Sequence, residues 1–98
     1  MMGAGTSTCA FFGQQFKENP QAKAVEYMSW AQGFMTGENA LMIATNGLSR
    51  DLSAHGGLNG QAVFLQDYCD AHPLLLWFDA VSTLYSQLPL NKPTTAAR

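Results

Sequence analysis

The feature that most constrains the fold of this 98-residue chain is that its apolar residues recur at helical spacing in four segments. No segment shows the sustained apolar–polar alternation or the β-branched runs that are typical of a strand. Asn19-Pro20, Asn46-Gly47 and His72-Pro73 supply the breaks between the segments. The predicted helices cover residues 9–18, 20–45, 61–71 and 73–88. The sequence therefore predicts an all-α fold.

The connection over residues 46–60 is rich in Gly, Ser and Asn. Within it, Leu48 and Leu52 are four residues apart and predict one further helical turn against the core, so we expect a small bundle of four or five helices. Residues 1–7 and 90–98 are small, polar or both, and we expect them to be flexible ends. A chain of this length forms one domain, which we place at residues 8–89.

The chain has two cysteines, Cys9 and Cys69, and each falls on the apolar face of a predicted helix. A disulfide between them would close nearly the whole fold and stabilise it by about 4 kcal/mol through the entropy of the unfolded chain. The alternative is two buried thiols in a cytosolic protein. We predict the disulfide, and with it an oxidising compartment, the periplasm. Because the first residues lack a basic and apolar leader, this location presumes that a signal peptide has been removed.

The composition excludes several classes of protein. Only 12% of the residues are charged, about half the usual 25%, while 47% are hydrophobic, so the chain is not intrinsically disordered. The five basic residues are scattered, and no basic stripe is present for binding nucleic acid. The longest apolar run, residues 74–78, is far shorter than the ~20 residues that cross a bilayer, so we predict no membrane insertion.

The residues that could carry chemistry form only weak patterns. Cys69, Asp70 and His72 are close in the sequence and His55 could join them, but a structural zinc site needs four ligands from paired clusters. No Gly-x-Ser-x-Gly nucleophile motif occurs, and a pair such as Asp67 and Asp70 on a polar helix face is usually solvated. We therefore predict no metal, no cofactor and no enzymatic activity.

The second predicted helix has more apolar side chains than one small bundle covers. Met28, Met35 and Met42 repeat every seven residues along it, beside aromatic side chains. Such a stripe is most often core, and the alternative is an adaptable surface that binds a second copy of the chain or unfolded clients. We predict a protein-binding face formed by Tyr27, Trp30, Phe34 and Met35.

Gly33 and Gly37 lie on one face of the same helix and would let another helix approach closely. We expect this approach to come first from a helix of the same chain. The alternatives are a bend in the helix or a face for self-association.

Three short motifs resemble the HdeA/HdeB family of periplasmic acid-stress chaperones. They are Thr8-Cys9 followed by Phe12, then Tyr27-x-x-Trp30-x-x-Gly33, and Tyr68-Cys69-x-x-x-Pro73. The resemblance spans roughly residues 8–89. It implies a folded dimer at neutral pH that loosens in acid and exposes apolar surface to unfolding clients. Below about pH 3 the seven carboxylates would be neutral, and the side-chain charge would move from −2 to about +7, from five Lys/Arg and two His.

The latter half of the chain is also similar to small secreted immunity proteins that neutralise toxins of type VI secretion. These proteins have a glycine-containing central helix and a Cys-x-x-x-Pro-like segment before an apolar final helix. This second resemblance implies a protein that binds one toxin partner tightly and has no general preference for unfolded clients.

Overall fold

The computed structural model describes residues 6–91, which fold into four helices. Within these residues there is no strand, only isolated antiparallel bridges that pair Thr8 with Leu76 and Arg50 with Leu90. No described helix is long and apolar enough to cross a membrane. The all-α prediction is confirmed, with four helices. They are α1 (Cys9–Glu18), α2 (Pro20–Asn46), α3 (Gly57–Ala71) and α4 (Trp77–Gln87).

The disulfide between Cys9 and Cys69 joins the start of α1 to the end of α3. The two Cα atoms are 4.7 Å apart, and both side chains are buried. The predicted pairing is therefore confirmed. Because the two residues are 60 positions apart, the bond closes a loop that includes all of α2.

The start of α1 is held by side-chain and backbone acceptors, since the first amides of a helix have no partner within it. The Thr8 hydroxyl caps the helix by accepting from the amide of Phe11 at 3.1 Å. The amide of Cys9 donates to the carbonyl of Leu75 at 2.7 Å, and the amide of Ala10 to that of Pro73 at 3.0 Å. Residues 73–76 thus lie along the start of α1 and satisfy its amides.

This role of residues 73–76 corrects the predicted start of the last helix, which begins at Trp77 and not at Pro73. The Asp79 carboxylate accepts from the amide of Leu76 at 3.0 Å, and the amide of Trp77 donates to the carbonyl of Ser7 at 2.7 Å. Leu74, which was expected in the apolar stripe of that helix, is 90% exposed. The carbonyls that accept from α1 belong to its neighbours Pro73 and Leu75, and the Leu74 side chain lies in solvent.

The core is centred on Trp77, which is fully buried at the start of α4. Its ring lies 4.4 Å from the ring of Phe12 on α1 and 5.1 Å from that of Tyr27 on α2, measured between centroids. The Tyr27 hydroxyl remains satisfied because Gln15 Oε1 and Ser7 Oγ lie within hydrogen-bonding distance of it, at 3.0 and 3.2 Å. The other buried side chains include Ala31, Met35, Leu65, Val81, Leu84 and Leu88.

The third helix starts four residues before its predicted start, at Gly57, and it carries a buried glutamine. Gln61 is fully buried although its side chain is polar. Its side-chain amide donates to the carbonyls of Leu52 and Ala54 at 2.8 and 2.9 Å, and its oxygen accepts from Gln32 at 2.8 Å. Because every bond of the amide is made, burial is tolerated and the loop before α3 is anchored.

A second polar cluster joins α2, the loop and the end of α4. The Asn39 side chain pairs with both backbone groups of Arg50, at 2.8 and 2.9 Å, and accepts from the Tyr85 hydroxyl at 2.6 Å. The Arg50 guanidinium donates to the carbonyl of Leu88 at 2.7 Å, just beyond the end of α4. Burial raises the pKa of Tyr85, which keeps its hydroxyl a donor.

The ends of the domain lie slightly outside the predicted limits of residues 8–89. Ser7 accepts hydrogen bonds from Trp77 and Tyr27, and the amide of Asn91 donates to the carbonyl of Ser49 at 2.9 Å. These positions were expected to be flexible, and the structure includes them in the bundle. The rest of the predicted flexible ends, residues 1–5 and 92–98, lies outside the described residues.

The turn before α3 depends on one glycine. His55, Gly56 and Gly57 all have positive φ, a conformation in which a left-handed turn brings the backbone back on itself. A Cβ added at Gly60 would collide with the carbonyl oxygen of His55. Only glycine fits there without displacing backbone.

We expect the double change Cys9→Ala, Cys69→Ala to lower the free energy of unfolding by about 4 kcal/mol, because it restores the freedom of a long loop in the unfolded chain. Urea denaturation followed by circular dichroism measures this difference. A reductant should destabilise the wild type and leave the double variant unchanged. Equal stability of the wild type and the double variant would contradict the prediction.

We expect Gly60→Ala to lower the free energy of unfolding by about 2 kcal/mol or more, since the new methyl group must displace the backbone at His55. Gly33→Ala is the matched control, because a Cβ at this helical glycine meets nothing within 4 Å. That control should gain up to about 1 kcal/mol from helix propensity. Thermal unfolding of the two variants side by side tests the pair, and a stable Gly60→Ala would show that the turn is not tight.

Candidate protein-binding surface

The surface predicted for protein binding lies on α2, which has 27 residues and is therefore about 40 Å long. Pro20 occupies its first turn, where the missing amide costs nothing, and Gly47 ends it with a φ of 73°. Both signals were predicted from the sequence. The helix continues through Gly33 and Gly37, so neither glycine interrupts it.

One face of α2 lies in the core. Tyr27, Ala31 and Met35 follow one another at intervals of four residues, and all three are buried. The prediction placed Tyr27 and Met35 on the binding face, and for the folded chain it is wrong, because these side chains pack against the rest of the bundle.

The other two predicted residues lie on the flank of the helix. The rings of Trp30 and Phe34 stack with centroids 5.4 Å apart, and Phe34 meets the edge of Phe78 on α4 at 5.2 Å. All three side chains are half-buried. Part of the surface of Trp30 and Phe34 therefore remains accessible to a partner. Phe78 was not among the residues predicted for the binding face.

The opposite side of α2 is open. We define the outer ridge of α2 as Val25, Ser29, Gly33, Gly37 and Leu41, which are spaced four residues apart and are all exposed. Val25 is 69% and Leu41 60% exposed. A Cβ at either glycine meets nothing within 4 Å. The expectation that a helix of the same chain packs on these glycines is therefore wrong.

From Ser29 to Leu41 the outer ridge has almost no charge around it, whereas Val25 lies beside the ion pair of Lys23 and Glu26. Between residues 27 and 49 the sequence has a single charged residue, Glu38, which is half-buried. A helix face in contact with water usually carries charged side chains, whereas the centre of a protein interface is depleted of them. Ile43, which is 55% exposed, adds a further apolar side chain at the C-terminal end of α2.

Of the residues considered for chemistry, the cysteine and the two histidines make structural contacts. Cys69 is in the disulfide. His72 stacks on Tyr68 with centroids 4.3 Å apart, and its Nδ1 lies 2.9 Å from the Tyr68 carbonyl oxygen. His55 stacks on Phe64, near the start of α3, while His72 follows the end of the helix. Within residues 6–91, no group of three or more His, Cys, Asp or Glu side chains could hold a metal ion.

Comparisons of the chain with protein-family models, with curated proteins and with solved structures gave no match. A proposal of function therefore has to rest on the geometry of the molecule. The sequence analysis placed the binding face on α2 and did not include Val25, Ser29 or Leu41, which are exposed on the opposite side of that helix. The signal in the sequence is that these residues lie four apart in a row that includes Gly33 and Gly37.

Because one side of α2 is buried and the other is exposed, replacing two large apolar residues of this helix should have very different effects on the free energy of unfolding. Met35→Ala removes a fully buried side chain and should lower the free energy of unfolding by about 3 kcal/mol. Leu41→Ala, the matched control on the outer ridge, should change it by no more than about 0.5 kcal/mol. Chemical denaturation of both variants measures the difference, and a larger loss for Leu41→Ala would reverse the assignment.

Proposed function

We propose that this chain is a non-enzymatic protein-binding domain of an oxidising compartment, the periplasm, and that the outer ridge of α2 is its binding surface. The observation that carries the proposal is that the ridge is exposed and has no charged side chain, with apolar Val25 and Leu41 open to solvent on a 27-residue helix. The disulfide supports the compartment, because such bonds persist where thiols are not kept reduced.

The shape of the outer ridge suits a helix of a partner protein. At Gly33 and Gly37, in the middle of the ridge, a Cβ would meet nothing within 4 Å. A helix that crosses there could bring its backbone close to that of α2. Residues spaced four apart form the ridges that pack in helix–helix contacts.

The glycines themselves support an external partner. Each glycine within a helix costs about 1 kcal/mol relative to alanine. Among residues 6–91, nothing lies within 4 Å of a Cβ built at Gly33 or Gly37, so this part of the fold does not require glycine there. Their small size has a use if another molecule packs there.

Recognition of one folded partner is the mode that this geometry supports best. The ridge is exposed in the folded chain, so binding through it needs no unfolding. That mode matches the resemblance to immunity proteins, in which one toxin partner is bound. A second copy of the chain is another possible occupant of the same surface.

Acid-released binding of clients, as the HdeA/HdeB resemblance implies, is the second candidate function. The observation that favours it is the place of Tyr27 and Met35, two large side chains in the core that loosening would expose. The change in side-chain charge from −2 to about +7 in acid supplies the repulsion. The disulfide would still hold α1 to α3 during that change.

Photo-crosslinking from the ridge separates these modes. A photoreactive amino acid at Leu41, placed in cells of the source organism at neutral pH, should give one discrete adduct. The same probe at Val63 is the matched control, because Val63 is an apolar residue of α3 with 57% exposure. Adding Gly37→Arg should lower the yield at Leu41 by about tenfold, the effect of losing some 1.4 kcal/mol of binding energy.

Each result of this experiment has a distinct meaning. An adduct of twice the chain mass identifies a second copy as the partner. Many adducts that form only at pH 2 to 3, together with suppressed light scattering of an aggregating client at that pH, support the acid chaperone. Absence of adducts at both pH values, or equal adducts at Val63, contradicts binding through the outer ridge.

A further inference from the structure

A groove lies between α1 and α3, on a different part of the molecule from the outer ridge of α2. It consists of two adjoining depressions of about 340 and 190 Å³ that share Gly13, Lys17 and Asp70. Its remaining lining includes the disulfide at one end and Phe16 and Gln66 at the other. Ligand sites in proteins have volumes of about 300 to 1,000 Å³, so the groove is large enough for a small molecule.

The polar side chains of the groove lie at its solvent-facing edge, where Lys17 and Asp70 are exposed and Gln66 is half-buried. Lys17, Gln66 and Asp70 make no hydrogen bond or ion pair with any residue between 6 and 91, where the salt bridge is Lys23–Glu26. A cation on α1 and an anion on α3 thus line the same groove without pairing. The two helices present opposite charges to whatever enters between them.

Gly13 gives an independent reason to expect an occupant. It lies in the middle of α1, where glycine is less favourable than alanine, yet a Cβ there would meet nothing within 4 Å. The fold therefore does not require a glycine at this position. A side chain at residue 13 would project into the groove, and its absence leaves the backbone of α1 accessible from that side.

We propose that the α1–α3 groove binds a zwitterionic, amino-acid-like ligand. Asp70 binds the ammonium group and Lys17 the carboxylate, since the two charges lie on opposite sides of the space. The Gln66 amide is the additional donor and acceptor. Phe16 and the disulfide provide apolar surface for the ligand's side chain, and Gly13 leaves room for its backbone. A free amino acid and the ends of a short peptide share this chemistry.

The test is a titration of the uniformly ¹⁵N-labelled full chain at pH 7, followed by two-dimensional NMR. The probes are phenylalanine, the tripeptide Phe-Gly-Phe, and N-acetyl-phenylalanine amide, which carries neither charge. We expect saturable shifts of the Gly13 amide and the Gln66 side-chain amide with a charged probe and no shift with the blocked one. A response to phenylalanine alone or to the tripeptide alone identifies which source of the chemistry the groove accepts.

Three variants show whether the named residues carry the binding. Asp70→Asn should raise the Kd by about tenfold or more, because a charge-assisted contact is lost. Asp67→Asn, on the same helix but outside the groove, should leave the Kd within about twofold. Gly13→Ala should raise the melting temperature of the chain and weaken binding together, a combination that a purely structural glycine would not give.

The proposal is overturned if no charged probe gives a saturable shift, if the blocked probe shifts the same amides, or if Asp67→Asn weakens binding as much as Asp70→Asn. Because the groove is lined by α1, α3 and Pro73, and the protein-binding surface lies on α2, either site can fail while the other stands.

Discussion

Packing of the Trp77 ring against Phe12 and Tyr27 is the contact on which the arrangement of the helices depends. It brings one residue each from α4, α1 and α2 to a single point, and the Cys9–Cys69 bond fixes α3 to α1 beside it. A bundle of under 100 residues buries a limited area, so one large shared side chain contributes much of its apolar contact. Farther from this point, polar contacts add to the apolar core, and the pairing of Asn39 with Arg50 is the clearest of these.

The difference in helix length explains why a surface remains open. The 27 residues of α2 are packed against helices of 10, 15 and 11 residues, which are too short to surround it. The bundle covers the side of α2 that carries Tyr27 and Met35 and leaves the side of Gly33 and Gly37 to solvent. An open face is thus a consequence of the architecture, while its lack of charge is a property of the sequence alone.

The sequence predicted the fold better than it predicted the surface. The bounds of α1 and α2 follow from Thr8, Pro20 and Gly47, whose local chemistry decides where a helix starts or ends. Residues 73–76 misled the prediction because an apolar run fits a helix and an extended segment equally well, and only hydrogen bonds to α1 decide between them. For α2, apolar residues occur all round the helix, so periodicity could not tell which side is buried. That choice is made by tertiary packing, as is the burial of Gln61.

In the segment at residues 73–76 the main chain contributes to the fold, whereas the side chain of Leu74 does not. The carbonyls of the segment complete the start of α1, but the Leu74 side chain lies in solvent. Selection on folding acts there on the path of the main chain and hardly on the identity of residue 74. Two proteins with this architecture could share this path of the main chain and have different residues at position 74. Such a position would also accept a fluorophore or a surface tether without disturbing the bundle.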